Sequence, residues 1–165
     1  MARQVNAMES ILVVGGAGKT GHLLSQNLAS AGLQPVVFDD LSTGLGDRVT
    51  FGPLVKVDAR QTPRVIRTLK EHSIQTIVHC ALQSESDDPL ALFEQNLTTT
   101  MSLLQALQEA QGRRIILVNP PALTREMLTR ILQDCANAYG YEAFPVSGET
   151  ADEVFQQIRS RLSKF

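Results

Sequence analysis

Seven residues near the start of the chain limit its fold more than any others: Gly15-Gly16-Ala17-Gly18-Lys19-Thr20-Gly21. They follow a continuous apolar run, Ile11-Leu12-Val13-Val14, that stops at Gly15. Such a run fits a strand buried on both faces. Beyond the glycines, Leu23, Leu24, Leu28 and Ala31 recur at helical spacing, and Gly32 supplies a stop signal. The glycines therefore mark the point where a strand hands over to a helix. Gly15, Gly18 and Gly21 are three residues apart. A turn of this kind reverses the chain sharply and lets backbone approach a diphosphate. It also packs the helix close to the sheet and aims the helix's first N–H groups at the anion.

The alternation continues along the chain. Pro35-Val36-Val37-Phe38 reads as a second strand closed by Asp39-Asp40, and Leu41 to Gly52 reads as loop. Leu54 to Val57 is a third strand ending at Asp58. Thr62 to His72 puts Val65, Ile66 and Leu69 on one helical face, with Thr62 as N-cap and Pro63 at the first helical position. Further strands are predicted at 76–79, 115–118 and, weakly, 142–146, and further helices at 89–110, 124–139 and 150–162. The last helix should turn Val154, Phe155, Ile158 and Leu162 inward. The expected fold class is α/β: a doubly wound parallel sheet of about six strands, order 3-2-1-4-5-6, with helices on both faces. Residues 1–9 read as a flexible leader. Residues 10–165 read as a single domain with no separate substrate domain.

Composition narrows the function. Fifteen Lys plus Arg face seventeen Asp plus Glu, so no basic excess supports nucleic-acid binding. No apolar run approaches the ~18 residues of a membrane span, so no membrane association is expected. The polar start lacks a signal-peptide core, which predicts a cytoplasmic protein. Cys80 and Cys135 make neither a disulfide framework nor a zinc site.

Asp39 lies eighteen residues after Gly21, at the carboxyl end of the second strand. A carboxylate there accepts hydrogen bonds from adenosine ribose hydroxyls and repels an additional phosphate. The nearest arginine downstream is Arg48. NAD(H) is therefore expected over NADP(H). The string Gly18-Lys19-Thr20 also invites a nucleotide-hydrolase reading, but GxxxxGK[ST] needs glycine at position 13, where this chain has Val13.

Five stretches, in order, carry a family resemblance: VGGAGKTG at 14–21, FDDLSTG at 38–44, GPLVKVDAR at 52–60, IVHCAL at 77–82 and EQNLTTTMSLLQAL at 94–107. The chain resembles the cofactor-binding part of the extended short-chain dehydrogenase/reductases. It is most similar to the UDP-glucose 4-epimerase group and related nucleotide-sugar epimerases and dehydratases. The resemblance implies a Rossmann-like NAD-binding domain. Gly15, Gly18 and Gly21 would form the pyrophosphate turn, with Lys19 and Thr20 beside it. Asp39, followed by Asp40, would bind ribose. Asp58 and Ala59 would meet the adenine edge, and Cys80, Ala81 and Leu82 would line the trough. Asn96 would be the structural asparagine of the long helix. Family members also dimerise through two long helices, here 89–110 and 124–139, which implies a homodimer.

The catalytic half of the pattern is broken. The family uses a Tyr as proton carrier and a Lys four residues later that lowers its pKa. The residues four before Lys19, Lys56, Lys70 and Lys164 are Gly15, Gly52, Ile66 and Ser160. The usual serine run after the fifth strand reads Asn119-Pro120-Pro121, and Arg125 stands at the position of the catalytic Lys. Three readings follow. In the first, the chain binds NAD(H) without catalysis and acts as a sensor, scaffold or regulator near nucleotide-sugar or polysaccharide metabolism. In the second, it is an active oxidoreductase or epimerase using His79, Asn119, Arg125 or Tyr139. In the third, it is a cofactor-free interaction module.

Overall fold

A computed structural model describes residues 8–162. Most of the expected leader, residues 1–7, lies outside the described residues, whereas Met8 and Glu9 are exposed. Six strands form one sheet: β1 (Ser10–Val14), β2 (Gln34–Asp39), β3 (Leu54–Lys56), β4 (Thr76–His79), β5 (Arg114–Val118) and β6 (Glu142–Val146). Their order is β3-β2-β1-β4-β5-β6, and every pairing is parallel. The expected doubly wound sheet and its strand order are what the chain adopts. Among the described residues, four helices connect strands and a fifth follows β6: α1 (Lys19–Ser30), α2 (Thr62–Glu71), α3 (Pro89–Glu109), α4 (Ala122–Tyr139) and α5 (Ala151–Leu162).

The period-two alternation of β1 divides the core. Ile11 and Val13 face α1 and α5, packing with Leu24, Leu28, Val154 and Ile158. Leu12 and Val14 face the opposite layer, with Val65, Leu69, Leu103, Leu107, Leu128 and Leu132 from α2, α3 and α4. Because both faces are covered, the central strands are largely apolar; β4 also carries Thr76 and His79, both buried and hydrogen-bonded. Between β1 and β4 the order reverses direction, and a crevice opens at the carboxyl ends of these strands.

Local differences from the sequence reading have identifiable causes. Gln61, not Thr62, is the N-cap of α2. The Thr62 hydroxyl instead shares a hydrogen bond with Ser102 Oγ on α3, at 2.9 Å. The 41–52 segment contains a 3-10 turn at Gly46–Arg48. α4 begins two residues before the expected Thr124, directly after Pro121. Leu162 is only half-buried at the end of α5. On α3, Leu104 and Leu107 are core, whereas Leu90 and Met101 point outward.

Candidate functional site

The turn between β1 and α1 is held by its own backbone. Gly15 N–H donates to Phe38 O at 2.8 Å, and Gly18 N–H donates to Gly15 O at 3.1 Å. The glycines of the turn have different reasons to be glycine. Gly15 has φ +76°, and a Cβ there would lie 2.9 Å from Ala81 N. A Cβ on Gly21 would run into the Gly15 carbonyl oxygen and lie 2.8 Å from Gly16 Cα. Both positions are dictated by close packing of helix, turn and sheet. Gly18 is different: its φ of −77° suits any residue, and an added Cβ would meet only Gly15 O, at 3.3 Å. What Gly18 borders is a cavity, shared with Gly15, Asp39, Asp58 and Ala81.

Gly18 is also the N-cap of α1, and no side chain caps that end. The first N–H groups of the helix have no intrahelical acceptor. The only charged residue in its first turn is the exposed Lys19. A cation there opposes the helix dipole, at a cost of about 0.3–1 kcal/mol. Uncapped donors, a positive dipole end and an ammonium group together favour an anion.

Asp39 ties the turn to β2. Its Oδ2 accepts from Ala17 N–H at 2.9 Å and its Oδ1 from Leu41 N–H at 2.8 Å. Each carboxylate oxygen retains a lone pair for a further donor such as a hydroxyl. Asp40 accepts from Ser42 N–H at 2.9 Å and shapes the next turn. Arg48, the nearest downstream arginine, points its Nη1 at Ala17 O across 3.5 Å.

Of the residues singled out in the sequence, Gly15, Gly18, Asp39, Asp40, Asp58, Ala59, Cys80, Ala81 and Leu82 line this one cavity. Lys19 and Thr20 stand beside it on the first turn of α1, and Gly21 lies beneath, buried. Asn96 is fully buried and braces the rim: its Nδ2 donates to Gln83 O and its Oδ1 accepts from Gln83 N–H, both at 2.8 Å. Asp58 is occupied by Arg60, whose Nη2 approaches it to 2.6 Å, and this guanidinium holds the carboxyl below its ordinary range. Burial pushes the Cys80 thiol up to about 12, which suits a bland wall residue. The sequence reading missed Ser42 and Thr43, which follow Asp40 in the chain, and Gln95 and Thr99 of α3, all four on the cavity wall. The first pair lies inside the FDDLSTG stretch and the second inside EQNLTTTMSLLQAL.

None of the four residues considered as relocated catalytic groups reaches the cavity wall. His79 is wholly buried, and burial holds its pKa down at about 3. Its Nδ1 accepts from Ala81 N–H at 3.2 Å, which leaves Nε2 to donate to Thr100 Oγ1 at 3.3 Å. Asn119 Oδ1 accepts from Gly148 N–H at 2.9 Å. Arg125 Nε donates to Pro120 O at 3.1 Å. Tyr139 is 54% exposed on the far end of α4. Pro120 and Pro121 are buried and neither open nor close the cavity.

These features fit a diphosphate at an uncapped helix start and a ribose at the end of the neighbouring strand. The chain is 39% identical over 108 residues to UDP-glucose 4-epimerase of Rhizobium leguminosarum bv. trifolii, covering 63% of this chain and 33% of that protein. It is 41% identical over 101 residues to the enzyme of that name from Rhizobium meliloti, covering 59% and 31%. It thus spans about a third of the length of these relatives. Among solved structures, UDP-glucose 4-epimerase from Brucella ovis in complex with NAD superposes with a TM-score of 0.79 at 27% identity, over 84% of this chain and 51% of that one. The Thermus thermophilus enzyme, also complexed with NAD, gives 0.76 at 25% identity, over 82% and 53%. The family described as NAD dependent epimerase/dehydratase matches residues 11–120. The chain belongs to the NAD dependent epimerase/dehydratase family.

Proposed function

We propose that this chain binds NAD(H) and has lost the family's catalysis, acting as a sensor, scaffold or regulator near nucleotide-sugar metabolism. The observation that carries the binding half is Gly18: a Cβ there would press on one atom, the Gly15 carbonyl oxygen at 3.3 Å, far less than at Gly15 or Gly21, yet it borders the cavity at an uncapped helix start. Gly15, Gly18 and the opening amides of α1 would hold the pyrophosphate, with Lys19 and Thr20 alongside. Asp39 would take the ribose hydroxyls, and Val57, Asp58 and Ala59 would flank the base. When bound, NAD supplies a hydride acceptor. The chain's own residues do not supply the matching proton carrier. No Tyr is followed four residues later by Lys. His79, Asn119 and Arg125 are each engaged by main-chain groups, and none of the three lines the cavity.

A homodimer through helices α3 and α4 belongs to the same proposal. Leu90 (77% exposed), Met101 (54%) and Leu123 (71%) stand on these two helices. Exposed apolar side chains on adjacent helices suit a self-complementary contact with a second copy.

The test is a calorimetric titration of NAD⁺ and NADH, with Asp39→Ala as control, followed by a hydride-exchange assay on a panel of nucleotide-sugars. Binding on the order of 10 μM with no turnover is expected. Turnover by the purified chain, abolished by a change at Asn119 or Arg125, would show the catalytic reading to be the right one.

A further inference from the structure

A doubly wound sheet offers a dinucleotide two halves, one nucleotide over the carboxyl ends of β1 to β3 and the other over those of β4 to β6. The cavity of this chain does not divide evenly between them. All three strands of the first half end on its wall: β1 at Gly15, β2 at Asp39 and β3 just before Asp58. Of the second half, β4 alone does so, through the connection that begins Cys80-Ala81. Among the described residues, none after Thr99 lines the cavity, so β5, β6 and the segments that follow them stand outside it. The β4 connection starts against the glycine turn, since a Cβ on Gly15 would lie 2.9 Å from Ala81 N. Its first residues therefore border the diphosphate position.

The groups at the ends of β5 and β6 are turned toward one another. Asn119, at φ +49°, donates its N–H to Val146 O at 2.9 Å, and its Oδ1 accepts from Gly148 N–H at 2.9 Å. Gln157 of α5 donates to Ser147 O and accepts from Ser147 N–H. Pro120 and Pro121 are buried and have no N–H to offer. Their carbonyls accept from Arg125 Nε and Thr124 Oγ1. What remains at this end is open surface, where Asn119, Ala122 and Leu123 are exposed. A nicotinamide is a flat ring whose carboxamide both donates and accepts. Small-molecule sites meet such a group with concave walls that bury most of it. Among the described residues, no cavity wall forms there.

We propose that the cavity is a half-site for ADP-ribosyl compounds, holding adenosine and diphosphate and leaving the nicotinamide in solvent. This rests on the reading of the cavity as a dinucleotide site and narrows its ligand class. The chain then takes NAD⁺, NADH and free ADP-ribose alike. It responds to the amount of ADP-ribosyl ligand and not to the oxidation state of a ring it does not touch. The loss of catalysis gains a second cause: besides the missing proton carrier, nothing holds the hydride acceptor still.

The test titrates the parent chain with NAD⁺, NADH, ADP-ribose and nicotinamide mononucleotide, and records the fluorescence emission of bound NADH. The first three Kd values should agree within about threefold. Nicotinamide mononucleotide, the other half of the cofactor, should bind at least about tenfold more weakly than ADP-ribose. The emission maximum of the reduced ring should stay where it lies in water, because no apolar wall replaces the solvent. A larger gap in favour of NAD⁺ or NADH, or a blue-shifted emission at saturation, would refute the half-site while leaving the dinucleotide reading intact. A parent chain that binds none of NAD⁺, NADH and ADP-ribose would overturn both.

Discussion

Replacing Gly18 by valine separates a glycine kept for a ligand from one kept for the fold. The backbone there, φ −77° and ψ 176°, accepts a β-branched residue. The new Cβ meets one atom, Gly15 O at 3.3 Å. Loss of a glycine N-cap to an apolar residue costs about 0.5–1 kcal/mol, or about 1–4 °C in a chain of this size. The isopropyl group would cover the opening amides of α1, where two charge-assisted hydrogen bonds to a diphosphate are worth about 1.5–3 kcal/mol each. We therefore expect Gly18→Val to melt within about 5 °C of the parent while its Kd for NAD⁺ rises by at least about 30-fold. Gly21→Ala is the counterpart: its methyl would collide with the Gly15 carbonyl, and the variant should fail to fold. Differential scanning fluorimetry and calorimetric titration measure both quantities. If Gly18→Val keeps NAD⁺ affinity within threefold, the diphosphate does not sit at this turn.

Three other outcomes follow from the geometry. His79 is neutral in the fold, with its pKa held at about 3, so below pH 6.5 the unfolded chain takes up a proton that the folded chain refuses. Stability should fall by on the order of 1–2 kcal/mol from pH 6.5 to pH 5, and urea melts of His79→Asn should lack that component; identical slopes would refute it. With the Cys80 thiol pushed up to about 12 by burial, very little of it is thiolate at pH 8. Maleimide should then modify Cys135 in the native protein and reach Cys80 at a comparable rate only after unfolding, as read by mass spectrometry. Met101→Glu places a charge on the outward side of α3 and should convert a dimer to a monomer in sedimentation velocity; a monomeric parent would refute the dimer.

The fold is readable because burial on both sides of the sheet leaves each central strand an apolar run, cut to Ile77-Val78 in β4. The order 3-2-1-4-5-6 follows from alternating strands and helices with right-handed crossovers. Differences fall at helix starts, where tertiary contacts decide. Thr62 carries capping chemistry but spends its hydroxyl on Ser102, and Pro121 starts α4 before the apolar periodicity begins. Asp39 stands out in the sequence as a carboxylate that ends an apolar strand, although its two backbone hydrogen bonds give it a structural role that the sequence does not show. Thr99 does not stand out, since Thr98, Thr99 and Thr100 form a run whose burial depends on how α3 meets the sheet and α2. That Gly18 differs from Gly15 and Gly21 is likewise hidden, because spacing treats the three alike and only the neighbouring atoms tell them apart.

The grip of Asn96 on both peptide groups of Gln83 has a kinetic consequence. A segment pinned through donor and acceptor to one immobile amide cannot swing as a flap, so this edge of the crevice behaves as a fixed sill. Nucleotide arrival should then show a single bimolecular phase, linear in concentration, with no slower isomerisation following it. The amide proton of Gln83 should exchange with solvent only when α3 itself gives way.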